Sequence, residues 1–289
     1  MAGASDADNT IRAAAVAPRQ RPYPVVIVRA GASQAIVNYS TLAEDLASHG
    51  YVVVGFDAPY RTDVVAFPDG RVITRTPTNN PELAIGSPDS LRRINRLLEA
   101  WTGDIGFVLD CMRRLNADAS GEFTGRLDMS RVGLFGHSFG GAAVAQFCHV
   151  DARCTAGVDV DGAPLGSVIT AGIAHPFMFL LADHGWEPGS RAVEAAIQSI
   201  YDRLPQRARL RLSIRGASHF FFSDDGALLK SHIVLGALRR LGIVGMDGRR
   251  QLAVTAHCLR TFFDAYLVEG GASRPTIASP LYHEIEVVQ

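Results

Sequence analysis

The sequence predicts an α/β domain: a mostly parallel, doubly wound sheet with helices on both faces. Three observations carry that expectation. Short apolar runs alternate with amphipathic stretches, the runs are apolar at consecutive positions, and one of them breaks at "GHSFGG" directly into a small-residue helical pattern. Consecutive apolar positions are what a strand needs when both of its faces are buried. Strands alternating with helices then favour parallel pairing.

Taken in order, the candidate strands are "VVIVR" (25–29), "YVVVGF" (51–56), "RVGLF" (131–135), "TAGVDV" (155–160), "PFMFLLA" (176–182) and "ARLRLSI" (208–214). "STLAEDLASHG" reads as a helix capped by Ser40 and stopped at Gly50. In "PDSLRRINRLLEAWTGDIGFVLDCMRRL", Leu91, Ile94, Leu98, Ile105, Leu109 and Met112 recur at helical spacing, with Gly103 and Gly106 placed to bend the helix. "VVAFPDGRVITRT" reads as a hairpin about Pro68-Asp69-Gly70, and the proline-rich residues 75–90 as a loop. The densest basic stretch, "RLPQRARLRLSIR", alternates arginine with apolar residues, as a strand with a solvated face would. No repeat or composition shift marks a second domain. The expected organisation is a flexible segment, 1–24, followed by one domain, 25–289.

Bulk properties narrow the function. The 289 residues are 47% hydrophobic and 20% charged, with a net charge of -1. That is globular, and it offers no overall electrostatic case for a nucleic-acid partner. No apolar run approaches the roughly 18 residues of a membrane span, so no stable membrane insertion is expected. Residues 1–24 lack the apolar core of a signal peptide, so the expected location is cytoplasmic unless a leader has been removed. Cys111, Cys148, Cys154 and Cys258 read as free core thiols. "CHVDARC" lacks a second ligand cluster at zinc-like spacing, and no metal site is expected.

The chemistry begins at "GHSFG", a G-x-S-x-G pattern between a candidate strand and a candidate helix. Such an elbow holds a serine on a strained turn, with its hydroxyl above the sheet edge. Gly136 and Gly140 avoid collisions where strand and helix meet, and the helix N-terminus lends positive charge to a developing oxyanion. Ser138 is therefore the candidate nucleophile.

A serine hydroxyl needs a base, and in α/β-hydrolases the chain order is Ser, then Asp or Glu, then His. His219, in "SIRGASHFFF", follows a late strand in a glycine-containing loop. His232 and His257 fall in helical patterns, His283 in the tail, and His175 and His184 too early beside strand 176–182. His137, beside the nucleophile, reads as a packing residue. Two acids end strands, Asp161 and Asp183, and pattern alone does not choose between them; Asp159 lies deeper on the face it shares with Asp161. One oxyanion donor is the amide of Phe139, next after the nucleophile. The second comes from the loop after "VVIVR".

The segments "GLFGHSFGGAA", "AGVDVDGAPLG", "HPFMFLL" and "LSIRGASHFFF" resemble the plasma-type platelet-activating-factor acetylhydrolase family and its bacterial α/β-hydrolase relatives. "YSTLAEDLASHGYVVVGFDAPY" and "RRQLAVTAHCLRTFFDAYL" fit the same group, so the likeness runs from about residue 22 to 268. It implies an α/β-hydrolase fold and a serine esterase with no metal or cofactor, acting on a small-molecule ester, with short acyl chains favoured. It maps the acid onto Asp161, leaving Asp183 as the alternative. Where the family shows a Gly-x-Gly-like stretch this chain reads "VRAGASQAIVNY"; Gly31 fits, Ala32 is placed to donate its amide, and Arg29 and Ser33 depart. Arg29 reads as a solvated loop arginine, with binding of a substrate carboxylate as the alternative. Phe220, Phe221 and Phe222 divide between acyl pocket and core, and Trp101 and Trp186 are open in the same way. Residues 58–100 and 164–175 are expected to cover the site and to set the substrate. Thioester, lactone or polyester cleavage, or acyl transfer, would use the same triad. A non-catalytic small-molecule receptor on this fold is the competing class.

Overall fold

The computed structural model describes residues 14–80, 89–183, 190–228, 236, 240, 245–271 and 274–288. Expectations for residues 1–13, for residues 81–88, and for His184, Trp186 and His232 lie outside them.

Seven strands form one sheet: β1 (Tyr23–Arg29), β2 (Val52–Gly55), β5 (Leu127–His137), β6 (Ala156–Val160), β7 (Phe177–Ala182), β8 (Arg209–Ile214) and β9 (Ile285–Val287). A separate antiparallel pair, β3 (Val64–Ala66) and β4 (Val72–Thr74), is the hairpin expected around Asp69. The sheet order is β2-β1-β5-β6-β7-β8-β9. All neighbours are parallel except β9, which returns antiparallel to β8. Strand order runs outward in opposite senses from the β1–β5 boundary. A crevice opens at such a switch point, outside the carboxyl ends of the strands.

Burial of both faces follows from residue alternation. Val26 and Val28 of β1 join one core with α1 (Ser40–Ser48) and α7 (Gly248–Phe263). Val25 and Ile27 face the other core, beside α2 (Ser90–Ala117), α3 (Phe139–Val150) and α5 (Ser190–Arg203). Two short helices, α4 (Val168–Ala171) and α6 (Asp225–Leu228), follow β6 and the turn after β8. The chain before β1 is tied down from Val16 onward: Val16 N–H donates to Glu122, Arg19 to the Gly50 carbonyl and Tyr23 Oη to the Ala17 carbonyl.

Several local expectations need correction. Cys148 and Cys154 are not free thiols but a disulfide between the end of α3 and the start of β6. Cys111 and Cys258 remain thiols, and Cys258 is buried. Ser40 does not cap α1; it is the first helical residue, and its hydroxyl donates to the Val37 carbonyl at 2.7 Å. α2 continues through Gly103 and Gly106 as one helix, with its buried stripe from Leu97 to Met112 in the core it shares with α3 and β5. β8 has no solvated arginine face. Arg211 is buried, bonded to Gln198 at 2.9 Å and to Glu194 of α5. β9 had no signal, since "EIEV" reads as an exposed polar tail until β8 offers it an edge.

Candidate active site

Ser138 stands between β5 and α3 with φ 57° and ψ −124°, a conformation that a side chain adopts only under constraint. The constraint is visible. Its N–H donates to the Val160 carbonyl at 2.9 Å, and its own carbonyl accepts from Gly141 and Ala142 at 2.9 and 3.2 Å. The flanking glycines are steric necessities. A Cβ on Gly136 would lie 2.3 Å from the Gly140 carbonyl oxygen, and one on Gly140 would lie 2.4 Å from the carbonyl oxygens of Arg29 and Ala30. No side chain fits at either place.

The structure brings Ser138, His219 and Asp161 together from the ends of β5, β8 and β6. His219 Nε2 lies 3.2 Å from Ser138 Oγ, and His219 Nδ1 lies 2.7 Å from Asp161 Oδ2. Asp161 is buried; it takes a positive φ of 55°, and its second oxygen accepts the Ala182 amide at 2.9 Å. A carboxylate at Nδ1 places the imidazole proton there. The Nε2 lone pair is thereby turned to the serine hydroxyl. Asp183, the alternative acid, does not meet the imidazole: its Oδ2 accepts the Gly216 N–H at 3.0 Å, holding the turn before the histidine loop. Asp159 is fully buried, with Oδ1 on the Gly162 amide at 2.8 Å. Burial, assisted by nearby Asp161, pushes its carboxyl up to about 8, so it is mostly protonated at pH 7.

The amides of Phe139 and Ala32 donate to no acceptor among the described residues. For Phe139 this follows from its place at the start of α3, where an N–H has no partner within the helix. Ala32 sits in a turn closed by Gln34 N–H on the Gly31 carbonyl at 3.2 Å. Ser33 follows with φ 73°, its carbonyl accepting Asp63 N–H at 2.9 Å and its hydroxyl accepting from Arg75. The chain leading into this loop lies against the elbow, with the Arg29 and Ala30 carbonyls closing on Gly140.

Arg29 is a correction. It is not a solvated loop residue but the last residue of β1, 1% exposed, its guanidinium 3.8 Å from the centre of the Trp101 ring and 4.8 Å from that of Phe56. Burial, the largest influence, lowers its pKa to about 10, partly offset by Asp104 at 3.7 Å. Trp101 in turn meets Phe139 edge-on at 4.9 Å, so it supports the elbow helix from the core side. Of the three phenylalanines, Phe221 and Phe222 are buried and Phe220 is exposed. Sequence reasoning missed Tyr39, whose hydroxyl meets Gly31, Gln34 and His137. Nothing in its spacing sets it apart from the apolar positions that lead into α1.

No group of three or more His, Cys, Asp or Glu side chains capable of holding a metal occurs among the described residues, nor a helix long and apolar enough to cross a membrane.

Comparison with known proteins agrees with this fold. The fold is similar to that of a ferulic acid esterase from Streptomyces cinnamoneus, with a TM-score of 0.75 and 25% identity, covering 94% of this chain and 75% of that one. Among curated relatives, a probable 1-alkyl-2-acetylglycerophosphocholine esterase of Arthroderma benhamiae is 28% identical over 71% of this chain and 50% of its own length. The platelet-activating factor acetylhydrolase of Cavia porcellus is 27% identical over 70% and 48% respectively. The chain spans about half the length of these relatives. The sequence profile of platelet-activating factor acetylhydrolase, isoform II, matches residues 112–267, a stretch that contains Ser138, Asp161 and His219. With more than half of its residues so matched, the chain belongs to the platelet-activating factor acetylhydrolase isoform II family.

Proposed function

We propose that this protein is a serine hydrolase that cleaves carboxylic esters with short acyl groups through an acyl-enzyme. The observation that carries the reading is the unbroken contact from Asp161 Oδ2 through the His219 ring to Ser138 Oγ. In this scheme His219 Nε2 takes the hydroxyl proton as Oγ attacks the ester carbonyl carbon, and Asp161 stabilises the imidazolium that forms. The carbonyl oxygen becomes an oxyanion, received by the amides of Phe139 and Ala32. Losing one such donor typically costs about 3 kcal/mol of barrier. Collapse of the tetrahedral adduct breaks the C–O bond, and His219 returns the proton to the departing alcohol. Water, deprotonated by the same nitrogen, then releases the acid and restores Ser138.

The printed names of the curated relatives, acetylhydrolases and an acetylglycerophosphocholine esterase, support an acetyl-sized acyl group. The Cys148–Cys154 disulfide favours an oxidising compartment over the cytoplasm. The test is reaction with a fluorophosphonate followed by peptide mapping, alongside p-nitrophenyl esters of increasing acyl length. The reading expects adduct on Ser138 alone and rates that fall with chain length. A folded protein that takes no adduct there overturns it.

A further inference from the structure

Beside the triad, a line of hydrogen bonds joins two loops that the reaction scheme leaves separate. The Gly31 N–H, one residue before the Ala32 amide, donates to Tyr39 Oη at 3.1 Å. Tyr39 Oη lies 2.7 Å from His137 Nδ1. His137 Nε2 lies 2.9 Å from the backbone carbonyl oxygen of His219. Tyr39 and His137 are both buried, and the rings of His137 and His219 sit 4.6 Å apart.

Chemistry gives the line a direction. A carbonyl oxygen only accepts, so His137 must carry its proton on Nε2. Burial, with His219 close by, drives His137 down to about 3, so the ring is neutral and Nδ1 holds a lone pair. Burial also raises the Tyr39 pKa, which keeps its hydroxyl protonated. That hydroxyl accepts from Gly31 and faces two acceptors, His137 Nδ1 and Gln34 Oε1. Gln34 makes a parallel tie, its amide nitrogen donating to Asp225 Oδ2 at 3.2 Å in the turn after His219.

We propose that Tyr39 and His137 are positioning residues that lock the oxyanion loop to the catalytic-histidine loop, so that the Ala32 amide and the His219 ring keep their places about Ser138 as one unit. Neither residue touches the reacting atoms. Both act through groups that do. The inference rests on the reading of the site as a serine hydrolase. It also assigns a task to the residue at the x position of G-x-S-x-G, for which packing alone would accept any side chain of similar volume.

The test divides the line link by link. His137→Gln places an amide N–H where Nε2 stands, keeping the bond to His219 but offering Tyr39 nothing at the Nδ1 position. His137→Asn does the reverse, and His137→Leu removes both. Tyr39→Phe deprives the Gly31 amide of its acceptor. With p-nitrophenyl acetate, His137→Leu and Tyr39→Phe are expected to lower kcat roughly tenfold to a hundredfold, the range set by leaving a buried hydrogen-bonding group unpaired. KM should change less than about twofold, since uniform binding is untouched. His137→Gln and His137→Asn should each recover part of the loss. The Tyr39→Phe/His137→Leu double variant should fall little further than either single one, because the two share a single line. Losses in kcat that simply multiply, or an absence of recovery in the Gln and Asn variants while thermal midpoints match wild type, overturn the proposal. If His137→Leu does not fold, the Gln, Asn and Tyr39→Phe variants carry the comparison. Fluorophosphonate labelling of wild-type Ser138 separates the two failures. Without labelling the hydrolase reading falls; with labelling but unchanged variants, only the positioning role falls.

Discussion

Asp161 and His219 meet at 2.7 Å although 58 residues separate them along the chain. The contact is two-sided, because the other carboxylate oxygen is held by the Ala182 amide at 2.9 Å. The carboxylate is thus held from both sides. Asp161→Asn should lower kcat for an activated ester by roughly three to four orders of magnitude, since an amide nitrogen facing Nδ1 imposes the wrong tautomer. Asp183→Asn, beside the Gly216 turn, should remain within a few-fold of wild type. Steady-state kinetics on the two variants checks this directly, and a larger loss at Asp183 would reverse the assignment.

The two glycine environments make opposite predictions for the same substitution. Gly140→Ala would push a methyl to 2.4 Å from the carbonyl oxygens of Arg29 and Ala30, and rigid backbone cannot yield cheaply. A stability loss of about 3 kcal/mol, together with depressed activity, is expected in urea unfolding and ester assays. Gly103→Ala, in the exposed middle of α2, meets nothing within 4 Å and should stabilise by ~0.5–1 kcal/mol.

Asp159 makes stability depend on pH in an unusual sense. Its folded pKa of about 8 lies above the ordinary aspartate value of 3.8. Between those values the folded protein keeps a proton that the unfolded chain has released, so this group's contribution shrinks as pH rises from about 4 through about 8. Asp159→Asn retains an acceptor for Gly162 and cannot ionise. Unfolding of both proteins at pH 5, 7 and 9 should show the variant gaining on wild type across that window. Parallel curves would mean that Asp159 is not the protonated group.

Reducing the Cys148–Cys154 bond opens a seven-residue loop, for which the chain-entropy relation gives about 2 kcal/mol of stability. Dithiothreitol should lower the unfolding midpoint accordingly. Alkylation of denatured protein should tag Cys111 and Cys258 before reduction and all four cysteines after it. Four tags without reductant would contradict the disulfide.

What the sequence disclosed, and what it withheld, divides along physical lines. Runs such as "VVIVR" and "TAGVDV" announce strands because both of their faces are buried, and "GHSFG" announces an elbow because its glycines leave no room for side chains. His219 was legible from its order along the chain. Asp161 was not separable from Asp183 by pattern, since both end strands; a difference of one strand position decides which carboxyl reaches the imidazole. Arg29 misled because a charge at a strand end usually points to water, whereas here two aromatic rings and Asp104 close around it. The disulfide was invisible for a similar reason. Whether Cys148 meets Cys154 depends on how α3 turns back into β6, which spacing does not encode. Tyr39 was missed because its role lies entirely in contacts with residues far along the chain, such as His137.

The crowding around the elbow also bears on how such a protein can diverge. Positions 136 and 140 each face main-chain oxygen at 2.3–2.4 Å from where a methyl would sit, and the same is true of Gly162 against the Ser138 carbonyl at 2.5 Å. A side chain at any of the three would have to displace main chain, at a cost in stability, before it altered what the site accepts. Changes of specificity are therefore cheaper in the loops above the sheet than at the crowded corner beneath them.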